Sequence, residues 1–236
     1  TLNCEWQFTN NAVYLDTAGR YAVAENEEVD AEEWKTFLAL LLKNRPKEPL
    51  NGVVLVVSVD SLLNDPDDRI ERTARHIRNR LNEAVNLLGV EFPVWLLVTK
   101  MDHMAGFRDF AAGLPKNVLT QAMGQGFFAG GYKVAGTFSR AFDAVAQRLQ
   151  ELTASILALE EADVDSFLAL SVFQKEFTTI KPSLLTFMNA LTDESPYQAP
   201  VPLRGMYCSS ARQKECGPVL DSFPAPQQPG QPEAEG

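Results

Sequence analysis

Two stretches of the chain are almost wholly apolar. Residues 52–59 (GVVLVVSV) and 93–98 (PVWLLV) each run to the length of one strand, and the first is β-branched almost throughout. Runs of this kind predict strands buried on both faces, as in a parallel sheet. Between them Ile70, Ala74, Ile77, Leu81, Val85 and Leu88 recur at helical spacing. Asp65-Pro66 marks the start of that helix and Gly89 its end. Strand, helix and strand of these lengths predict a βαβ unit with a right-handed connection.

Upstream, residues 4–9 and 12–15 flank Asn10-Asn11 and predict a β-hairpin. Residues 17–28 are polar and read as loop. Asp30, with Glu33 three positions on, reads as the N-cap of a helix carrying Trp34, Phe37, Leu38, Leu41 and Leu42, which Pro46 and Pro49 stop. Downstream, residues 107–123 are mixed, with Phe107, Phe110, Leu114 and Leu119 apolar, and the glycine-rich stretch 124–136 reads as loop. Residues 138–191 are mostly helical. Phe138, Phe142, Val145, Leu149, Leu152, Ile156 and Leu159 form one stripe. A second helix from about Val164 carries Phe167, Leu168, Phe173 and Phe177. Pro182 opens or kinks a third, holding Leu184, Leu185 and Met188. Residues 203–208 read as the last strand. From Pro224 the sequence PAPQQPGQPEAEG has the composition of a linker. The expected division is an α/β core over residues 1–133, a helical subdomain over 134–197, the core's last strand within 198–216, and a linker or disordered tail over 217–236.

Composition narrows the function classes. With 236 residues, 45% hydrophobic and 22% charged, the chain can bury a core without staples. Its net charge of −10 argues against non-specific nucleic-acid binding and against docking on anionic lipid. Arg69, Arg72, Arg75, Arg78 and Arg80 are read as a solvated helix face. Cys4, Cys208 and Cys216 make no disulfide framework, and with His76 and His103 as the only histidines a zinc site is not expected. A reducing cytosol is the simplest compartment. No signal peptide is visible at Thr1, and the longest apolar runs fall far short of the ~20 residues that span a bilayer. The chain is therefore expected to be soluble, with no direct membrane insertion, and remains compatible with a piece of a membrane protein.

Three strand ends carry candidate chemistry, at the place where open α/β sheets bind ligands. Asp16-Thr17-Ala18-Gly19 follows the second hairpin strand. A carboxylate there can hold Mg²⁺ through water, and a glycine three positions on lets a backbone N–H approach a terminal phosphate. Thr99-Lys100-Met101-Asp102 follows residues 93–98. It resembles the NKxD or TKxD motif of GTPases, which implies an aspartate accepting two hydrogen bonds from guanine and a lysine stem covering the base. Adenine offers no matching donors and would leave the carboxylate unsatisfied. Ser209-Ser210-Ala211 follows the last strand and resembles the SAK-like loop of GTPases, which implies backbone N–H groups supporting a base. Taken singly, each is also compatible with an ordinary turn or surface loop. The candidate nucleotide-contacting residues are thus Asp16, Gly19, Thr99, Lys100, Asp102 and Ser210, with Asp16 also the candidate metal ligand.

In order and context these motifs resemble those of Ras-like GTPases, and more closely those of the TssM/IcmF family. The residues carrying the closer resemblance are Thr1, Asn3-Cys4-Glu5-Trp6 and Phe8-Thr9, then Ala12-Val13 and Leu15-Asp16-Thr17-Ala18-Gly19-Arg20-Tyr21. They continue through Glu33-Trp34, Phe37-Leu38, Arg45-Pro46, Pro49-Leu50-Asn51-Gly52-Val53, Thr99-Lys100-Met101-Asp102, Ala105-Gly106-Phe107 and Pro202-Leu203-Arg204-Gly205-Met206-Tyr207. The resemblance spans roughly residues 1–215. It implies a P-loop NTPase-like (Ras-like) sheet flanked by helices, with a helical appendage. It also implies a cytoplasmic domain of a bacterial inner-membrane protein, acting as a scaffold of the type VI secretion membrane complex. The implied partners are TssL, TssJ and baseplate components, and the implied cofactor of the whole protein is GTP or ATP with Mg²⁺. Two departures matter. No GxxxxGK[ST] occurs in the chain, so the phosphate cradle and its strand are expected outside these residues, and no hydrolysis is expected from the chain alone. Arg20 also stands where Ras-like GTPases carry a water-orienting glutamine. The alternative reading is a free-standing small GTPase-type switch, which the Arg45-Pro46 and Pro49–Val53 stretches disfavour. An enzyme of another class would need a motif such as G-x-S-x-G or G-x-G-x-x-G, and the chain has neither.

Overall fold

A computed structural model describes residues 4–17, 19–21, 27–127, 134–159, 164–193 and 200–210. The proline-rich tail, Cys216 and Ala211 lie outside the described residues.

The hairpin forms as its alternation predicts. Strands β1 (Glu5–Phe8) and β2 (Val13–Asp16) pair antiparallel, with Trp6 opposite Leu15. Thr9 closes the turn: its hydroxyl donates to the Ala12 carbonyl and accepts from the Ala12 N–H. This hairpin is a two-stranded sheet of its own. A 3₁₀ turn (Gly19–Tyr21) then leads to helix α1 (Glu27–Asn44). Tyr21 is buried, its ring 5.4 Å from that of Trp34, and its carbonyl lies 3.1 Å from His76 Nε2. Asp30 does not cap α1. The helix starts at Glu27, and Asp30 is buried inside it. An acidic residue at position 28 suits the positive helix start, and the helix begins upstream of the expected cap.

The main sheet contains β3 (Val53–Ser58), β4 (Val94–Thr99), β5 (Met123–Gly126) and β6 (Leu203–Cys208), in the order β3-β4-β6-β5. β3, β4 and β6 are parallel, and β5 closes one edge antiparallel. The chain is therefore an α/β protein with a mixed sheet. Around the sheet lie α2 (Val59–Asn64), α3 (Asp67–Leu88), α4 (Phe107–Ala112), α5 (Lys116–Leu119), α6 (Val134–Leu159), α7 (Val164–Thr179) and α8 (Lys181–Leu191). Gly89 ends α3 in the left-handed conformation, φ 67°, as its position predicts. Pro182 opens α8. No helix among the described residues is long and apolar enough to cross a membrane.

Strand alternation puts Leu55, Leu96, Val98, Met206 and Cys208 on one face of the sheet, all buried. They share one contiguous core with Ile70, Ala74 and Leu81 of α3, Phe142 of α6, Phe173 of α7 and Leu184 and Met188 of α8. Each fully buried Leu, Phe or Met contributes roughly 1.5–3 kcal/mol relative to exposure.

The opposite face differs from expectation. Val54 and Val56 are 46% and 59% exposed, and Trp95, Leu97 and Tyr207 are half-buried. The β3 run is apolar on both faces, yet only one is sealed here. Val53 N–H donates to the Pro93 carbonyl at 2.9 Å, so by alternation the N–H and C=O groups of Val54 and Val56 point to the sheet's open edge.

Two further expectations are corrected. Arg69, Arg72 and Arg75 are solvated and pair one turn back with Asp65, Asp68 and Glu71, but Arg78 and Arg80 are buried. Five arginines spread over twelve positions cannot all share one face of a 3.6-residue repeat. The glycine-rich segment is also not wholly loop, because Met123–Gly126 pairs with β6. Glycine is unfavourable in strands in general, but here the backbones need the space. A Cβ on Gly124 would lie 2.3 Å from the Met206 carbonyl oxygen and 2.5 Å from the Tyr207 ring. Gly124→Ala is predicted to detach β5 or shift β6, costing about 1–3 kcal/mol of stability in urea unfolding.

Candidate functional site

The parallel register brings three strand ends level. Ser58 lies opposite Thr99, and Val98 lies opposite Cys208. The pairing continues past the strands: Ser209 N–H donates to the Val98 carbonyl at 2.8 Å, and Met101 N–H to the Ser209 carbonyl at 3.2 Å. The loops after β4 and β6 are thus stitched together before any side chain contributes. Met101 is fully buried beneath them. Lys100 sits in the left-handed conformation, φ 60° and ψ 38°, and is the non-glycine residue with positive φ among those described. That conformation costs a Cβ-bearing residue roughly 1–2 kcal/mol.

Of the sequence candidates, Thr99, Lys100, Asp102 and Ser210 come together here. Ser210 Oγ donates to Asp102 Oδ1 across 108 positions of sequence. The Asp102 side chain is only 7% exposed. The Ser210 hydrogen bond holds its carboxyl below the usual carboxylate range, with His103 and Arg108 adding weaker attraction, against the opposing effect of burial. Thr99 Oγ1 lies 3.5 Å from the Val57 carbonyl, at the limit of a hydrogen bond.

Asp16 and Gly19 are not brought into this cluster. Both are exposed; Asp16 ends the hairpin, and Gly19 begins the turn anchored through Tyr21 on α1 and α3. Arg20 lies in the same turn, and its side chain is outside the described residues. Among the described residues, no three His, Cys, Asp or Glu side chains converge as metal ligands. Asp16 therefore offers a single carboxylate. That fits only a cation whose other ligands are water and phosphate oxygens.

Two residues of the cluster were missed in the sequence. Asp60, in the first turn of α2, accepts from Lys100 Nζ at 3.0 Å, and His103 Nδ1 lies 2.7 Å from its other oxygen. Those two contacts, His103 first, hold the Asp60 carboxyl below its ordinary range. Neither residue belongs to a recognisable motif, and their meeting depends on β3 and β4 ending side by side. The loop's far end is equally fixed. Ala105 N–H donates to Glu176 of α7 at 2.8 Å. A Cβ on Gly106, φ 75°, would lie 2.0 Å from the Ala169 carbonyl oxygen, so α4 meets α7 backbone to backbone. The Phe107 and Phe110 rings both pack on Phe173, at 5.4 and 4.9 Å.

The arrangement is that of an α/β protein with a carboxylate, a lysine and a serine-bearing loop grouped at the carboxyl ends of parallel strands. The model of the IcmF-related N-terminal domain matches residues 27–234, and the chain belongs to the TssM/IcmF family. It is 33% identical over 219 residues to the type VI secretion system component TssM1 of Pseudomonas aeruginosa, an alignment covering 91% of this chain and 20% of that protein. The chain thus spans about a fifth of the length of the curated relative it matches. No solved structure matches it.

The depressed Asp102 carboxyl makes an acid-side prediction. A group depressed on folding stabilises the fold above its unfolded value, and that contribution is lost as pH falls through the folded value. Ser210→Ala removes the main cause. Its Asp102 carboxyl is expected to titrate at higher pH by carboxyl carbon NMR, and the variant to be less stable than the parent at neutral pH, with the difference shrinking as pH falls through the parent's folded value.

Proposed function

We propose that this chain is the cytoplasmic nucleotide-responsive module of a type VI secretion inner-membrane component, linking the membrane complex to the baseplate. The observation that carries the nucleotide part is the convergence of Thr99, Lys100, Asp102 and Ser210 at the ends of β4 and β6. Asp102 is acceptor-only when ionised, and its depressed carboxyl keeps it so at neutral pH. Ser210 orients the carboxylate, and an ionised carboxylate in this place can accept from a base edge that presents two adjacent N–H donors. Guanine has that edge and adenine does not, so GTP is favoured over ATP. Asp16 and Gly19 would meet the phosphate end with Mg²⁺, once a phosphate cradle supplied outside these residues brought them to it. The open edge of β3, with Val54 and Val56 uncovered, suits one further strand carrying that cradle. Family membership supports the secretion role. TssL, TssJ and baseplate components are the proposed partners of the whole protein, with residues 138–191 the proposed baseplate contact.

The test is a titration of fluorescent GDP and ATP onto this chain and onto the same chain extended by about 60 residues upstream. The longer form should bind GDP saturably, and the chain alone should neither bind tightly nor hydrolyse. Asp102→Ala removes two charge-assisted hydrogen bonds and should weaken GDP at least about a hundredfold, with little change for ATP. Equal binding with and without Asp102, or no binding by the longer form, would refute the nucleotide role.

A further inference from the structure

We infer that Asp60 is the positioning residue of the base-recognition loop: its carboxylate locks the Lys100–His103 turn from both ends. The inference rests on the reading of the strand-end cluster as a nucleotide site and extends it to a residue outside every motif.

Lys100 occupies a backbone conformation that a side-chain-bearing residue adopts only when its surroundings impose it. His103 N–H donates to the Lys100 carbonyl at 2.9 Å and Met104 N–H to the Met101 carbonyl at 3.0 Å, while Ser209 and Ser210 hold Met101 and Asp102 in the middle of the turn. Asp60 adds an external restraint on the two ends of the turn, which the β6 loop does not hold through these contacts. One carboxylate oxygen takes Lys100 Nζ at 3.0 Å and the other faces His103 Nδ1 at 2.7 Å, so a single side chain grips the first and last residues of the turn. Asp102 lies between them, with Oδ2 3.9 Å from His103 Nε2. Holding His103 therefore also holds the side on which Asp102 would meet a base. Asp60 is itself well supported. Ser58 Oγ accepts from Ser61 N–H at the start of α2, and Ser61 Oγ bonds Asp65 at its end. The clamp ties the end of β3 to the loop of β4 and transmits strand alignment into loop geometry. Each exposed contact alone is weak, and the effect comes from two contacts sharing one carboxylate.

Two measurements test this. On the 236-residue chain, backbone NMR shifts of residues 100–103 should move in Asp60→Ala and return toward the parent in Asp60→Glu, with the thermal midpoint nearly unchanged. Unchanged shifts in Asp60→Ala would overturn the clamp. In the longer nucleotide-binding form, Asp60→Ala should weaken GDP by about five- to tenfold, far less than Asp102→Ala. GDP affinity unaffected by Asp60→Ala while Asp102→Ala abolishes it would overturn the positioning role and leave the site reading intact. If the longer form binds no nucleotide at all, the site reading and the positioning role fall together, and the chemical shifts still decide the clamp.

Discussion

β4 is the strand on which the remaining structure depends. It pairs in parallel with β3 on one side and β6 on the other, and Val94, Leu96 and Val98 are almost wholly buried. Three parallel strands in register must end at the same level, so residues far apart in sequence meet at one edge. The hydrogen bonds from Ser209 to Val98 and from Met101 to Ser209 carry this alignment into the loops. The Asp102–Ser210 and Asp60–Lys100 contacts are consequences of it. Weakening the apolar ladder of β4 would dissolve the site without touching any of its polar residues.

The same loop is fixed at a second point, on α7. Ala105, Gly106 and Phe107 each have a distinct reason to be what they are: an N–H for Glu176, room for the Ala169 carbonyl, and a ring for Phe173. Phe173 lies 6.3 Å from Phe177, which stacks on Phe142 of α6 at 4.9 Å. A displacement of the Asp102 loop would therefore have to move, or break from, a packed aromatic row running into α6 and α7. This gives the proposed response to nucleotide a physical route to the helices proposed to meet the baseplate.

Much of this was legible in the sequence. Apolar runs placed β3 and β4, the six-residue stripe placed α3, and Asn10-Asn11 placed the hairpin. Thr99–Asp102 and Ser210 stood out because strand ends in α/β sheets are a place to look for ligands, and the two loops that carry them do meet. Local pattern failed where tertiary context decided. β5 was hidden because glycine has poor strand propensity, and its reason for being glycine is a neighbour more than 80 positions away. Asp30 was misread as a cap because an acidic residue upstream suits an earlier helix start. Asp60 left no local signal, since its role exists only once two strands lie side by side. The exposed face of β3 could not be anticipated either, because a run apolar on both sides reports what a strand is suited to contact, not what is present.

Hydrogen exchange at the Met101 and Ser209 amides tests most directly whether the sheet holds the site. Met101 opens a short 3₁₀ turn and Ser209 lies just past β6, so neither belongs to a strand or to the long helices. If the strand pairing extends through them as described, their amides exchange as slowly as those at the centre of β4, and slow further only when the whole fold is stabilised. Exchange at the rate of ordinary surface loops, with β4 fully protected, would contradict the account and make the loops independent of the sheet that carries them.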